Sequence, residues 1–484
     1  MNAPASSKLA IIALAAVLLL GVPIHWVKSA VMEIDPDDVR LMGVSREIDS
    51  SAWHKLWTRH EVHFFPLYRL LRLPFDLHFP AWYTRFHALL FAAHLASAAL
   101  LFLLSRRYLR SPWSALVTSL LFAWSTVGDQ ALVWKGVAFF ALSWTFTLLG
   151  TWCLTREGTA WGVAGGAALL CSLGLFSGVL LVLPGVLAAV WLLEPKLRRR
   201  AFYACGTVWM GGALAWLILV LPQLDWAHYW KFGSATAGPM LRLWWAITDL
   251  LLAYNYQFFS GVRLVSERHT ALLFLPLLFL LVLVRRHLAA RWIFAALAMT
   301  ALPLFVMVLV RREPEVWKVS RYAYQAFTFW AVLLGAVLDG ILAWLEPWPR
   351  RRAVFLALLP IPAALYWWGH LRVAEYDRAY FRAQPAAWQE LWFGWDSFFR
   401  FASEDRVRTG TTLVLPDLLV APGLKLPTVF LLCHPRGLPG LTIRPGSAGA
   451  AHEQAEFWKE VEHVRSRLPM LRRLPLPPDR LGGQ

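Results

Sequence analysis

Long apolar stretches recur along this chain, separated by short clusters of arginine and lysine, and that alternation constrains the fold more than any other feature. A helix that crosses a bilayer needs about 20 predominantly apolar residues. Candidate spans lie near residues 9–27, 86–105, 112–128, 136–154, 160–175, 178–193, 201–221, 270–284, 290–310, 322–344 and 352–370, about eleven in all. With 58% hydrophobic residues and a mean hydropathy of +0.50, the apolar content exceeds what one soluble core of this size requires. The chain therefore reads as an integral membrane protein of all-α, polytopic class.

The basic clusters orient the threading. Arg106, Arg107 and Arg110 follow the second span, and Lys196, Arg198, Arg199 and Arg200 follow the sixth. Arg285, Arg286 and Arg291 follow the eighth, and Arg350, Arg351 and Arg352 follow the tenth. Under the positive-inside rule all four fall on the cytoplasmic side of one threading, with the N-terminus inside and the C-terminal tail outside. The membrane expected on this reading is a bacterial inner membrane. A cleaved signal peptide is the other reading of residues 9–27, but Lys28-Ser29-Ala30 is a poor small-x-small cleavage site, so an uncleaved anchor is expected. The net charge of +17 is explained by topology and anionic lipid, and nucleic acid is not expected as a partner. The four cysteines, Cys153, Cys171, Cys205 and Cys433, show no disulfide framework or metal-ligand spacing.

Two regions depart from simple spans. The stretch 161–193 is too short for two full helices and too long for one, which predicts two short helices turning at Ser177-Gly178. Residues 241–262, with Trp244, Trp245, Tyr254 and Tyr256, are expected to lie on the outer surface or re-enter it. Residues 1–370 thus form the polytopic domain, with a long first external loop at 28–85. Residues 371–484 are expected to form a small external mixed α/β domain with a disordered end, from strand-favouring runs at Thr412-Leu413-Val414-Leu415 and Pro427-Thr428-Val429-Phe430-Leu431.

Candidate chemistry concentrates in the first loop. Glu33, Asp35, Asp37 and Asp38 stand just beyond the first span, followed by His54, His60, Glu61 and His63. A carboxylate there could take the proton from an acceptor hydroxyl while cations stabilise a departing phosphate. Equally, Asp35-Pro36 suits the start of a helix, where the acids would only cap free N–H groups. His60 and His63 share a helical face, but no third ligand follows at metal spacing; hydrogen-bonded interfacial histidines are the plainer reading. His87 and His94 share one face of the second span, and His94 lies at hydrocarbon depth, where an ionisable group is functional or paired. Arg311, Arg312, Lys318 and Arg321 fall outside on this threading, as an anionic lipid phosphate would require. Snorkelling to headgroups would also account for Arg311 and Arg312. Arg321 and Tyr322, in Ser320-Arg321-Tyr322-Ala323-Tyr324, and Lys135, at the outer start of the fourth span, are the stronger candidates.

Together these features resemble the GT-C superfamily of polytopic glycosyltransferases, particularly bacterial relatives of the dolichyl-phosphate-mannose protein mannosyltransferases. Asp37-Asp38 occupies the place of that family's external acids. The run His63-Phe64-Phe65-Pro66-Leu67 is similar to its aromatic-x-Pro-Leu segment, and Phe86-His87 onward to His94 to its following helix with an embedded histidine. Ser320-Arg321-Tyr322-Ala323-Tyr324 is similar to its Arg-Tyr-x-Tyr element. Where relatives often carry a charged pair at the short-helix turn, this chain has Phe176-Ser177-Gly178.

The resemblance implies an inverting transfer of a sugar from an isoprenoid-phosphate carrier to a protein, glycan or lipid acceptor at the outer face. Asp37 or Asp38 would be the general base. Asp35, His63, His94, Lys135, Arg321 and Tyr322 would bind substrate, with Arg321 and Lys135 on the leaving phosphate. No cofactor is required, although a divalent metal is compatible with the acids. A lipid-linked-sugar transporter or flippase would instead place polar residues at the midplane in inverted repeats, which the sequence does not show. A GT-C-like shell that has lost catalysis is the third reading, kept open by Phe176-Ser177-Gly178.

Overall fold

The computed structural model describes residues 3–29, 41, 44–45, 48–49, 53–58, 64–78, 83–126, 130–133, 138–223, 270–310, 320–383, 412–415 and 442–445. The apolar stretches are helices. They are α1 (Ala3–Ser29), α2 (Pro66–Leu77), α3 (Tyr83–Tyr108), α4 (Pro112–Trp124), the short α5 (Gln130–Val133), α6 (Phe139–Leu154) and α7 (Thr159–Leu175). They continue as α8 (Leu183–Leu193), α9 (Arg198–Leu219), α10 (Thr270–Val284), α11 (Ala290–Val310), α12 (Ser320–Trp344), α13 (Pro349–Leu358) and α14 (Pro360–Ala383). Among the described residues five stretches are long and apolar enough to cross a membrane: Lys8–Trp26, Arg85–Tyr108, Pro195–Gln223, Tyr324–Trp344 and Pro349–Glu375. Six shorter apolar helices accompany them. This is the composition of an integral membrane protein.

The chain divides into two compact units, the first comprising Met1–Ala30, Trp57–Tyr68 and His87–Asp377. In this helical unit α12 is the most enclosed of the long spans, packed by α4, α11, α10, α6 and α5. Without a hydrophobic drive between helices in lipid, association relies on close approach and hydrogen bonds. Both are present. A Cβ on Gly335 of α12 would run into the Thr118 side chain and the Ser114 carbonyl of α4, so the α4–α12 crossing depends on that glycine. Hydroxyls on α6 fasten its neighbours: Thr147 bonds Ser172 of α7 (2.8 Å), Thr145 bonds Ser97 of α3 (2.9 Å), and the Trp144 indole donates to Thr328 of α12 (3.0 Å).

The short pair expected over 161–193 is α7 and α8, joined by a tight turn at Ser177–Leu181. Ser177 makes two bonds to the first-loop segment: its N–H donates to the Phe64 carbonyl (3.1 Å), and its Oγ accepts from the Phe64 N–H (3.0 Å). Phe176 stacks on Phe139 with 4.7 Å between ring centroids, and Phe65 also stacks on Phe139 at 5.3 Å. The Phe176-Ser177-Gly178 turn is therefore an anchor for the Phe-Phe-Pro-Leu segment.

One boundary differs from expectation. The last helix does not stop near residue 370 but runs to Ala383, because no proline or glycine interrupts 371–383 and Arg372 pairs with Glu375 on its surface (2.9 Å).

The second unit comprises Val31–Leu56, Arg69–Phe86 and Arg378–Gln484. Here Arg72 and Asp76, one helical turn apart on α2, form a buried two-pronged pair (Arg72 Nη2 to Asp76 Oδ1, 3.0 Å), and Ser45 donates to Asp76 Oδ2 (2.7 Å). Arg69 caps the Lys55 carbonyl. Strand β1 (Thr412–Leu415) pairs in parallel with β2 (Thr442–Pro445), Thr412 opposite Thr442. The expected run 427–431, the surface segment 241–262 and the rest of the tail lie outside the described residues.

Candidate functional site

The two ends of the helical unit are chemically unlike. At one end the arginine clusters gather. Arg107 and Tyr108, closing α3, bond Glu194 after α8 (2.8 and 3.0 Å), and Tyr108 faces Trp292 of α11. The guanidinium of Arg200, opening α9, caps the carbonyls of Leu154, Arg156 and Gly158 beyond α6. Gly158 takes φ 99°, a turn that only glycine adopts without strain. Asp339, late in α12 and 2% exposed, accepts the backbone N–H groups of Arg110 (3.2 Å) and Ser111 (2.8 Å) at the start of α4. These two donors belong to the orphan set that opens every helix.

At the other end the fasteners are neutral. Helix α4 stops at Trp124, leaving its last carbonyls without helical partners. Three side chains from other helices satisfy those carbonyls, and a fourth takes the N–H just beyond them. His25 of α1 (2.9 Å) and His94 of α3 (3.3 Å) both reach the Ala123 carbonyl, and the Tyr366 hydroxyl of α14 donates to Leu121 (2.9 Å). His370 Nδ1 accepts from the Thr126 N–H (3.2 Å). Because a carbonyl only accepts, His94 holds its proton on Nε2, and Nδ1 accepts from the hydroxyl of Tyr324 at the start of α12 (2.9 Å). His94 and Tyr324 are 2% and 1% exposed. The rings of His25 and His94 meet edge-on at 4.7 Å, and Trp26 lies against His87. Helix α1 is further held by indole bonds from Trp124 to the Val17 carbonyl and from Trp367 to that of Leu20.

Of the residues expected at a site, His94 alone has a described side chain, and its work there is to join α3, α4 and α12. Arg321 and Tyr322 lie in the first turn of α12, one turn or less before Tyr324, with their side chains outside the description. Asp35, Asp37, Asp38, His63 and Lys135 lie outside the described residues, as do Arg311, Arg312 and Lys318. His25, Tyr366, His370 and Asp339 were not singled out by sequence reasoning. Histidine or aspartate inside an apolar span is the signal that would have found His25, His370 and Asp339, whereas Tyr366 carries no such mark. Among the described residues no group of three or more His, Cys, Asp or Glu is arranged to hold a metal.

The chain matches no family model, no curated protein and no solved structure.

Proposed function

We infer that this protein is a membrane glycosyltransferase that moves a sugar from an isoprenoid-phosphate carrier to an acceptor at the outer face of a bacterial inner membrane. The observation that carries the reading is the bond from Tyr324 to His94, 230 residues apart, which joins two of the GT-C-like motifs at the neutral end of the helical unit. The Phe64–Ser177 bonds also hold the motif segment Phe64-Phe65-Pro66-Leu67 against the turn Phe176-Ser177-Gly178, where this chain departs from the resembling proteins.

In this reading about eleven apolar helices cross the membrane, the arginine-rich end is cytoplasmic, and an external C-terminal α/β domain follows. The carboxylate of Asp38 or Asp37 takes the proton of the acceptor hydroxyl as its oxygen attacks the anomeric carbon. The bond from that carbon to the carrier phosphate breaks, with inversion, and the phosphate leaves with the electron pair. Arg321 and Lys135 stabilise its charge, and His94, through Tyr324, sets the start of the helix that carries Arg321. Asp35, His63 and Tyr322 contact substrate.

The test is incubation of the purified protein with a panel of isoprenoid-phosphate sugars and acceptors, reading release of the carrier phosphate. Asp37→Asn and Asp38→Asn are assayed beside it. Loss of the base should slow transfer about a hundredfold to ten-thousandfold. Wild-type turnover in both single variants and in the double variant would remove the acids from catalysis, and no donor consumed by the wild type would favour a shell without activity.

A further inference from the structure

The arginine-rich end of the helical unit repeats one arrangement at three of its turns. Guanidinium groups stand over indole rings: Arg156 over Trp152 (4.7 Å to the ring centroid), Arg198 over Trp191 (5.5 Å) and Arg351 over Trp348 (5.4 Å). Trp161, Trp191 and Trp348 are exposed there. Amphipathic indoles gather where hydrocarbon gives way to headgroups, so these turns sit at the bilayer boundary.

Arg156, in the turn between α6 and α7, is the most firmly placed of the three. Its backbone N–H donates to the Cys153 carbonyl (3.0 Å), and its own carbonyl accepts from Arg200 of α9. Trp152, under its guanidinium, meets Trp161 of α7 edge-on at 5.2 Å. The direction of the side chain follows from its atoms. Nε is buried, whereas neither Nη is, and neither Nη bonds to the rest of the described protein. The guanidinium is therefore held from behind and presents its two terminal groups outward. Neighbouring cations are engaged elsewhere: Arg200 on the carbonyls of Leu154, Arg156 and Gly158, Arg107 on Glu194, and Arg198 on the Trp191 carbonyl (3.3 Å). The adjacent acid, Glu157, is exposed and lies within electrostatic reach of Arg200.

A fixed guanidinium with both Nη groups open is the donor half of a two-pronged phosphate contact. Its place at the bilayer boundary, beside an exposed indole, selects a lipid phosphate over a soluble one. Lys196 and Arg199 are exposed at the start of α9, whose Arg200 reaches this turn, and their potential favours an anionic headgroup over a zwitterionic one. We propose that the α6–α7 turn binds an anionic glycerophospholipid, its phosphodiester held by the Nη groups of Arg156 on the shelf of Trp152 and Trp161. The site is at the opposite end of the helical unit from His94 and Tyr324 and is independent of the transfer reaction.

The experiment titrates the full chain in detergent with phosphatidylglycerol, and separately with phosphatidylcholine of the same acyl chains, and counts bound lipid by native mass spectrometry. Wild type should retain one phosphatidylglycerol in preference to phosphatidylcholine. Arg156→Ala should bind it about ten- to a hundredfold more weakly, the loss of a hydrogen-bonded contact to a charged group. Arg156→Lys, which keeps the charge but not the planar fork, should also weaken it, and this variant carries the test if the alanine variant does not insert. Arg285→Ala removes an exposed cation at the end of α10 that stands over no ring, and should leave the affinity unchanged. Wild-type affinity in the Arg156 variants overturns the site. Equal weakening by Arg285→Ala replaces it with a diffuse field of charge, and equal retention of phosphatidylcholine removes the preference for an anion. Displacement of the lipid by glycerol phosphate at matched concentration would make the ligand a soluble phosphate and overturn the lipid assignment.

Discussion

Replacing Asp339 with alanine removes both acceptors from the start of α4 while leaving the donors where they are. Asp339 and Ser111 are buried, so water does not step in for the lost carboxylate. Hydrogen bonds to a charged group contribute about 1.5–3 kcal/mol each, and the longer bond, to Arg110, belongs at the low end of that range. A loss of about 3–4 kcal/mol is expected. At roughly 2 °C per kcal/mol for a chain larger than the usual single domain, the midpoint should fall by about 6–8 °C. Intrinsic tryptophan fluorescence in detergent reads the transition, at fixed scan rate, and 28 tryptophans supply the signal. Asp339→Asn keeps one acceptor oxygen and should fall by about half as much. Arg110→Ala is the control: the bond comes from its backbone, so its midpoint should stay within about 1 °C of wild type. If Arg110→Ala matches Asp339→Ala, an ion pair rather than a helix cap holds that end, and the reasoning fails. A wild-type midpoint for Asp339→Ala refutes it outright.

Gly335→Val should separate α4 from α12 and destabilise by about 1–3 kcal/mol, whereas Gly211→Val, with open space around its Cβ, should change the midpoint little. Tyr324→Phe, which removes only the hydroxyl bonded to His94, should cost about 1 kcal/mol and, if α12 carries the phosphate site, should weaken donor use more than stability alone explains. Arg321→Ala should weaken donor affinity while Arg106→Ala leaves it unchanged; equal affinity in both would remove Arg321 from the site. Reporters fused after Gln484 and within the cluster Arg198-Arg199-Arg200 should report opposite sides of the membrane, and the same side for both would sink the threading.

Much of the helical layout can be read from the chain because lipid enforces it. Apolar length and flanking arginines locate α10, α11 and α12 nearly to the residue, and the insufficiency of 161–193 for two spans foretells the short pair α7 and α8. The helical period also places His87 and His94 on one face, where His25 and Trp26 meet them. What does not show is who partners whom. The acceptor of two histidines is a backbone carbonyl, Ala123, which carries no mark in the sequence, and Asp339 reaches N–H groups 228 residues away. Such bonds follow from the packing order of the helices, which periodicity does not encode. The extent of α14 was missed for a different reason: its final turns are polar, so a hydropathy window ends before the helix does.

The two ends of the helical unit are also unequal in strength. The Asp339–Ser111 bond involves a buried carboxylate and is roughly twice as strong as each of the neutral contacts among His94, Tyr324, Tyr366 and Ala123 at the opposite end. Thermal excursions that part the helices are therefore expected to begin at the histidine-lined end rather than at the Asp339 cap. On the glycosyltransferase reading, a lipid tail sliding in from the bilayer at that end would have to break only weak, uncharged latches, without the desolvation toll of separating ions.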